Sequence, residues 1–401
     1  MRHDETHGRQ TRSGDNRQGP SGIMYCVPGH QFQRGAFPRE APRVFFAQHS
    51  RLAERPSRHD ISCIMSAVPA FETWLRPDPS GLYCVPGDFH IDPHGAVNRA
   101  VITHGHSDHA RPGHRSVLAT ADTLAIMKLR LGAGAGERHQ ALAYGEVLQV
   151  GGVTLWLAPA GHILGSAQVV IEYRGQRAVI SGDYKRHADP TCDGFELVPC
   201  DLFITEATFG LPIYRHEPDT GEVAKLLASL RDFPERTHQV GVYGLGKCQR
   251  LIALLRQAGY DKPIYLHGAL RSMTDYYVSR GFALGDVPSV ADTKDKLAGE
   301  IVLSPPSALG DRWSRRFADP LAGFASGWMR IRGRVRQRGI ELPLIISDHC
   351  DWVELLRTIT ETGAGEVWVT HGREEALVHE LGKMGVRARA LALVGREDES
   401  E

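Results

Sequence analysis

The residues best suited to chemistry in this chain lie in a histidine-rich loop, residues 103–109, with the sequence THGHSDH. The loop follows an apolar run, residues 99–103, which predicts a strand that ends where the loop begins. A loop at a strand end can turn successive side chains toward one point, and imidazole and carboxylate groups are ligands that Zn²⁺ and similar ions accept. We therefore predict a metal site here. Its candidate ligands are His104, His106, Asp108 and His109.

Two further donors follow at the ends of predicted strands or turns. His162 lies in the segment PAGHILGS, and Asp183 ends the apolar run AVISGD. Each would be weak evidence alone, because a single His after Gly is more often an ordinary turn residue. Together with the histidine-rich loop they complete a recognisable set.

The order of these motifs, HxHxDH, then Gly-His, then a strand-terminal Gly-Asp, resembles the metallo-β-lactamase superfamily. The resemblance implies an α/β (α+β) fold, a four-layer αβ/βα sandwich with a dinuclear metal site along one edge of its two sheets. Three more motifs are similar to those of the β-CASP nucleases in this superfamily. They contain Glu206 (TEATFG), His349 (SDHCDW) and His371 (VTHG).

The sequence segments around the motifs resemble one group within these nucleases. The segments SGDYKR, TFGLPIY and YGLGK, at residues 181–186, 208–214 and 243–247, resemble the bacterial ligase-associated DNA exonucleases most closely. This resemblance covers about residues 68–395. The alternating helices and strands predicted between Glu206 and His349 then correspond to the inserted β-CASP cap domain.

The resemblance also implies roles for the site residues. One metal ion would be held by His104, His106 and His162 and the other by Asp108, His109 and His371, with Asp183 bridging them. Two divalent ions are implied, with Zn²⁺ preferred and Mn²⁺ as the alternative. Asp92, in FHIDP, matches an acidic motif of the family that holds the metal ligands in place without binding a metal ion itself. An Asp before Pro is equally typical of an ordinary turn.

A phosphodiester also needs a proton on its leaving oxygen. His349, kept protonated by the Glu206 carboxylate, is a suitable general acid, because a neighbouring negative charge favours the imidazolium. The alternatives are a structural turn carboxylate for Glu206 and a buried, hydrogen-bonded ring for His349.

Arginine recurs at every second residue near the end of the predicted cap. In an extended strand all five guanidinium groups would share one face and could follow a nucleic-acid backbone. A charged edge strand is the alternative, and in a helix the row would split over several faces. Lys247, in a Gly-rich turn that opens a helix, and Ser326 are further candidates for nucleic-acid binding. The five arginines are Arg330, Arg332, Arg334, Arg336 and Arg338.

Composition restricts the class of protein. The 401 residues include 47 Lys and Arg against 47 Asp and Glu, so nucleic-acid binding must come from a local basic patch. Seven scattered Cys without a CxxC motif argue against a disulfide scaffold and favour a reducing compartment. No run of about 18 apolar residues and no signal peptide is present, so we expect a cytoplasmic protein without membrane association.

The expected domain organisation has five parts. They are a disordered extension (1–65), the first part of the metallo-β-lactamase core (66–210), the β-CASP cap (211–341), the C-terminal part of the core (342–395) and an acidic tail (396–401).

The expected function is metal-dependent hydrolysis of DNA, as an exonuclease in repair. An ATP-dependent DNA ligase and a helicase are the partners that the resemblance implies. RNA processing is the alternative, since His371 is typical of RNA-processing members. A small-molecule metallohydrolase is less favoured, because such enzymes lack the long insertion and the pair formed by Glu206 and His349.

Overall fold

The computed structural model describes residues 69–391. The predicted extension (1–65) and the acidic tail (396–401) lie outside the described residues. Within the described range the chain forms strands β1 to β18 and helices α1 to α7, numbered in chain order.

The first sheet has six strands in sequential order, antiparallel from β1 to β3 and parallel from β3 to β6. Helix α1 follows β5 and begins at Thr120, whose hydroxyl accepts a hydrogen bond from Thr123 N. The elements are β1 (Leu75–Asp78), β2 (Gly81–Cys84), β3 (Phe89–Ile91), β4 (Arg99–Val101), β5 (Ser116–Ala119), β6 (Arg138–Ala141) and α1 (Ala121–Leu131).

The second sheet has seven strands in the order β18-β17-β11-β10-β9-β8-β7. Strands β7 to β10 are antiparallel, whereas β10, β11, β17 and β18 are parallel. The elements are β7 (Leu148–Val150), β8 (Val153–Pro159), β9 (Ala167–Tyr173), β10 (Gln176–Ile180), β11 (Leu202–Ala207), β17 (Glu366–Gly372), β18 (Arg387–Ala390), α6 (Trp352–Thr362) and α7 (Glu374–Lys383).

The two sheets pack face to face and carry helices on their outer faces. Ile91 and Val101 of the first sheet meet Val169 and Trp368 of the second in one buried apolar cluster. Helix α1 covers the outside of the first sheet, and α6 and α7 cover the outside of the second. This is the αβ/βα sandwich that the sequence predicts, and it brings the carboxyl ends of β4, β10, β11 and β17 to one edge.

A third sheet lies between β11 and α6 in the chain and is parallel throughout, in the order β13-β14-β12-β15-β16. We refer to this sheet and helices α2 to α5 as the cap. Its last strand, β16, lies in the segment predicted to start the C-terminal part of the core, so we propose a domain boundary just after it. The elements are α2 (Asp219–Asp232), β12 (His238–Gly241), α3 (Lys247–Gln257), β13 (Ile264–Leu266), α4 (Gly268–Ser279), β14 (Ile301–Ser304), β15 (Leu321–Ala325), α5 (Arg332–Gln337) and β16 (Leu342–Leu344).

The arginine-rich segment does not form the extended strand that would place all five guanidinium groups on one face, because Arg332–Gln337 is helical and follows a 3₁₀ turn. The apolar residues explain the helix. Met329 and Ile340 are buried against Phe324, and Val335 packs on the same cluster. Val335 is the residue of the helix that contacts this cluster, whereas the arginines occupy mostly exposed positions.

Among the described helices, none is long and apolar enough to cross a membrane.

Candidate metal centre

Three imidazole rings and one carboxylate converge at the edge of the sandwich. His106 Nδ1 lies 3.1 Å from His104 Nε2 and 3.0 Å from His162 Nε2. Asp183 Oδ2 lies 3.4 Å from His104 Nε2 and 3.8 Å from His162 Nε2. The histidine-rich loop after β4 supplies two rings, the turn after β8 supplies the third, and Asp183 follows β10. These four residues form the first donor group.

The second donor group uses the other oxygen of Asp183. His109 Nε2 lies 3.4 Å from Asp183 Oδ1 and 3.4 Å from Asp108 Oδ2. His371 Nε2, at the end of β17, lies 3.5 Å from the same oxygen of Asp108. Asp183 therefore joins the two donor groups, and the structure brings together all seven predicted ligands.

A glycine lets β17 end beside β11 at this point. The register between the two strands shifts after Glu206, where Ala207 pairs with Gly372. Gly372 has a φ of +124°, and a Cβ atom there would lie 2.3 Å from the carbonyl oxygen of Ala207. The close approach sets His371 next to Asp108.

The outward-facing nitrogens of the rings are held by hydrogen bonds. His109 Nδ1 lies 2.7 Å from Asp92 Oδ2, and Asp92 also accepts hydrogen bonds from the Thr103 backbone and hydroxyl. His162 Nδ1 donates to the carbonyl of Asp348 at 2.8 Å, and His106 Nε2 donates to the carbonyl of Leu245 at 3.2 Å. Asp92 therefore lies where the resemblance places it, directly behind a predicted ligand.

The donor set fits divalent metal ions. A carbonyl accepts but cannot donate, so the bonds to Leu245 and Asp348 fix the protons of His106 and His162 on the outer nitrogens and leave the inner nitrogens as bare lone pairs. Burial lowers the pKa of the three rings in the first group, which favours this neutral form. Within the described residues, Asp183 Oδ1 accepts no hydrogen bond. Lone pairs that face one another at about 3 Å repel unless a cation lies between them.

A carboxylate and an imidazole adjoin the first donor group. His349 Nδ1 lies 2.8 Å from Glu206 Oε2, and the His349 ring centroid lies 4.7 Å from that of His162. Glu206 is itself fixed, since its carboxylate accepts hydrogen bonds from Tyr184 N (2.7 Å) and the Thr208 hydroxyl (2.6 Å). Burial alone would lower the pKa of His349, but the charges of Glu206 and Asp183 and the hydrogen bond to Glu206 outweigh it and raise the pKa to about 9.

Two of the predicted nucleic-acid contacts are wrong. Lys247 is buried, and its Nζ donates to the carbonyl of Ile346 at 2.6 Å and pairs with Asp348 Oδ2 at 3.0 Å. Ser326 is also buried, and its hydroxyl accepts a hydrogen bond from Trp328 N. Lys247 joins the cap to the core, and Ser326 begins a 3₁₀ turn. Neither side chain faces solvent.

The arginines instead border a groove of about 750 Å³. Arg330, Arg332 and Arg336 line it, and its apolar surface includes Ile213 and Val335. Among the described residues, no carboxylate forms an ion pair with any arginine of the row, in contrast to Arg236 or Arg271 elsewhere in the cap. The guanidinium of Arg334 lies over the Trp328 ring at 4.2 Å, and that of Arg338 over the Phe324 ring at 5.4 Å.

Aromatic contacts connect the arginine-rich segment to His349 beside the first donor group. The ring of Phe209 lies 4.7 Å from Trp328 and 6.0 Å from His349, centroid to centroid. The sequence analysis missed Phe209, although it lies within a motif that carries the resemblance, and it missed Trp328, which lies next to the arginine row. It also missed Leu245 and Asp348, which act through backbone carbonyls, and side-chain types give no signal for such a contact.

Comparison with known proteins supports the assignment of this fold. No family model matches the chain. A solved structure of a protein of unknown function from Enterococcus faecalis aligns with a TM-score of 0.50 at 12% identity, over 75% of this chain and 80% of that one. At that identity the likeness concerns the fold alone. The fold and the donor groups resemble those of metallo-β-lactamase-type proteins that carry an inserted cap.

Curated relatives show which proteins of this type the chain is similar to. The chain is 29% identical over 321 residues to a probable DNA ligase of Opitutus terrae, an alignment covering 78% of this chain and 30% of that protein. It is 31% identical over 123 residues to endoribonuclease YSH1 of Eremothecium gossypii (30% of this chain, 16% of that protein). It is 28% identical over 135 residues to cleavage and polyadenylation specificity factor subunit 3 of Dictyostelium discoideum (33% and 17%).

The chain thus spans less than a third of the length of each of these relatives. Their names support the relationship to the β-CASP metallo-β-lactamase nucleases that the motifs indicate.

Proposed function

We propose that this protein is a metal-dependent nuclease that hydrolyses phosphodiester bonds of DNA, as an exonuclease in repair. The observation that carries the proposal is the pair of donor groups joined by Asp183, with the hydrogen-bonded pair of Glu206 and His349 beside them. The relative named as a probable DNA ligase aligns with 78% of this chain, which supports DNA as the substrate and a ligase as a partner.

Two divalent ions fit the donor groups, and Zn²⁺ is the preferred candidate, with Mn²⁺ as the alternative. His104, His106 and His162 would hold one ion, Asp108, His109 and His371 the other, and Asp183 both. Such a pair of ions supplies Lewis acidity, which lowers the pKa of water and neutralises charge on the phosphoryl oxygens.

His349 is proposed to protonate the leaving oxygen. Its Nδ1 is occupied by the hydrogen bond to Glu206, so Nε2 is the nitrogen that can serve the substrate. The bonds from Tyr184 N and Thr208 keep the Glu206 carboxylate in place, and Glu206 in turn keeps the imidazole charged and oriented. Asp92 orients His109 through the same kind of contact.

The arginine-lined groove is proposed to bind the substrate backbone. The row from Arg330 to Arg338 carries guanidinium groups without carboxylate partners among the described residues, and the chain has no net charge that could attract a polyanion otherwise. Because a helix replaces the predicted strand, the five arginines do not form one ridge. Arg330, Arg332 and Arg336 contact the groove, and Arg334 stacks on Trp328.

RNA processing is a second candidate, and the presence of His371 in the second donor group favours it. Relatives named as endoribonucleases align with about a third to a half of the chain. A small-molecule hydrolase is less well supported, because it would use neither the cap nor the pair of Glu206 and His349. The helicase partner and a cytoplasmic location stay predictions, the latter supported by the five described cysteines, all of which are free thiols.

The deciding experiment incubates purified protein with end-labelled single- and double-stranded DNA and RNA in the presence of Zn²⁺ or Mn²⁺. We expect stepwise shortening of DNA that a chelator abolishes. Cleavage of RNA alone would replace the first candidate by the second, and no cleavage of either polymer would overturn the proposal.

A further inference from the structure

The cap reaches into the first donor group through the turn before α3. The carbonyl of Leu245 accepts the hydrogen bond from His106 Nε2, as described above. This contact belongs to a larger interface, because Leu245 is buried in an apolar cluster that also contains Ile126 of α1 and Ile163 of the core. A backbone group of the cap therefore fixes the orientation of a proposed metal ligand.

A second ligand is held by the cap less directly. The carbonyl of Asp348 accepts from His162 Nδ1, and the carboxylate of Asp348 pairs with Lys247 (3.0 Å) and Arg250 (2.9 Å) in the first turn of α3. Arg250 also donates to the carbonyl of Ser347. Both cations are buried, and Arg250 is only 1% exposed. The loop that orients His162 is thus fastened to α3 by charge-assisted bonds shielded from water.

The fit between the two parts is close. Gly246, between Leu245 and Lys247, has a φ of +86°, and a Cβ atom there would lie 2.3 Å from Cγ2 of Ile163. Ile163 directly follows His162, so the glycine lets the cap turn rest against the loop that carries this ligand.

We propose that the cap segment Leu245–Arg250 positions His106 and His162 and thereby sets the metal affinity of the first donor group. The second group is supported differently, since the partner of His109 is Asp92 in the core. The inference rests on the metal site proposed above. It gives the cap a role in building the metal centre, separate from contact with substrate.

The expected size follows from the general effect of such outer contacts. Removing a group that orients a ligand weakens metal binding by about 10- to 100-fold. Because linkage is reciprocal, a metal ion in the first group must stabilise the docked cap segment by the same factor.

The test uses Lys247→Met, which removes one cation from Asp348 and leaves Arg250 in place. Co²⁺ binding to the metal-free protein is followed by titration and by metal analysis. We expect one of two ions to bind about 10- to 100-fold more weakly and the other to bind as in the wild type. The matched control is Arg271→Met, which removes an exposed ion pair with Asp275 on cap helix α4 and should change neither affinity.

Unchanged binding of both ions in Lys247→Met would overturn the proposal. Equal weakening of both ions, with a matching fall in Tm, would also overturn it, since it would indicate general destabilisation. His371→Ala provides the opposite pattern, because it should weaken the ion that Lys247→Met leaves intact.

Hydrogen exchange on the wild-type protein tests the same coupling without a variant. Binding of the first Co²⁺ equivalent should slow exchange of the Leu245–Arg250 amides more than that of the amides in α4. Equal protection of both segments would contradict the coupling. A wild-type chain that binds no Co²⁺ would overturn the metal site itself, whereas selective metal loss in a chain that cleaves no nucleic acid would overturn only the proposed activity.

Discussion

The histidine-rich loop (residues 103–109) and the arginine-rich segment (residues 330–338) each repeat one residue type, but their environments differ. In the loop, His104 and His109 are buried and converge with donors from other strand ends. In the arginine-rich segment, most guanidinium groups are exposed on a short helix and lie among apolar residues. Because the donors of the loop converge on shared points, we expect each of them to be required, whereas the exposed arginines should contribute separately. Substitutions should therefore act in an all-or-none manner in the first region and in a graded manner in the second.

The largest effect is expected from the donor groups. His104→Ala or Asp183→Ala should lose metal and activity together, because a missing donor changes the coordination itself. Metal analysis and cleavage rates of the purified variants check this, with the exposed His379→Ala as the control. Asp183→Ala that kept both ions would show that Asp183 does not bridge them.

His349 should separate proton donation from metal binding. His349→Ala should retain near-normal metal content but cleave DNA about 10²–10⁴-fold more slowly, the usual contribution of general acid catalysis. A nitrophenyl phosphodiester needs little protonation of its leaving group, so it should recover much of the loss in His349→Ala and little in His104→Ala. Loss of metal in His349→Ala would instead identify His349 as a ligand, since it also lies near Asp183.

The pH profile gives a further check on this residue. The acid form of His349 is present below its raised pKa of about 9 and disappears as the pH rises through that value. Activity on DNA should therefore fall on the basic side, and adjacent metal cations would shift this fall to lower pH. The pH profile of His349→Ala should show no fall on the basic side. A fall that persists in this variant would assign the titration to another group.

Close packing around the loop predicts a stability effect that the arginine-rich segment should not share. Gly246→Ala adds a methyl group against Ile163 and strains a positive φ, so we expect a loss of about 2–4 kcal/mol in the free energy of unfolding. Gly244→Ala is the matched control, because its Cβ would meet only the end of the Leu270 side chain, at 3.3 Å. Denaturant unfolding measures the free energy of unfolding of both variants. Equal values for Gly246→Ala and Gly244→Ala would contradict the close fit.

The smallest effect on cleavage is expected in the arginine-rich segment. Replacing Arg332, Arg334 and Arg336 with Gln should weaken binding similarly for all sequences, and the slope of log affinity against log salt should become shallower by about one unit per lost phosphate contact. Replacing Arg271, Arg280 and Arg357, which are paired with carboxylates, is the control. An unchanged slope would reduce the segment to a charged helix without a role in binding.

The same contrast explains how much the sequence could predict. The donors were recognisable because ligand types stood at strand ends, and the alternating helices and strands predicted between Glu206 and His349 are present in the cap. The backbone of the arginine-rich segment could not be predicted, because a period of two in charge alone does not distinguish a strand from the helix that Arg332–Gln337 forms. Lys247 was misread because its Gly-rich turn suggested anion binding, while its actual partner, Asp348, lies far along the chain.

The position of β17 has a consequence for synthesis of the protein. This strand lies between β11 and β18 in the middle of the parallel part of the second sheet, yet it is translated only after the whole cap. Until it is translated, the sheet lacks an inner strand and the second donor group lacks His371. We therefore expect a nascent chain to remain inactive until β17 has been translated.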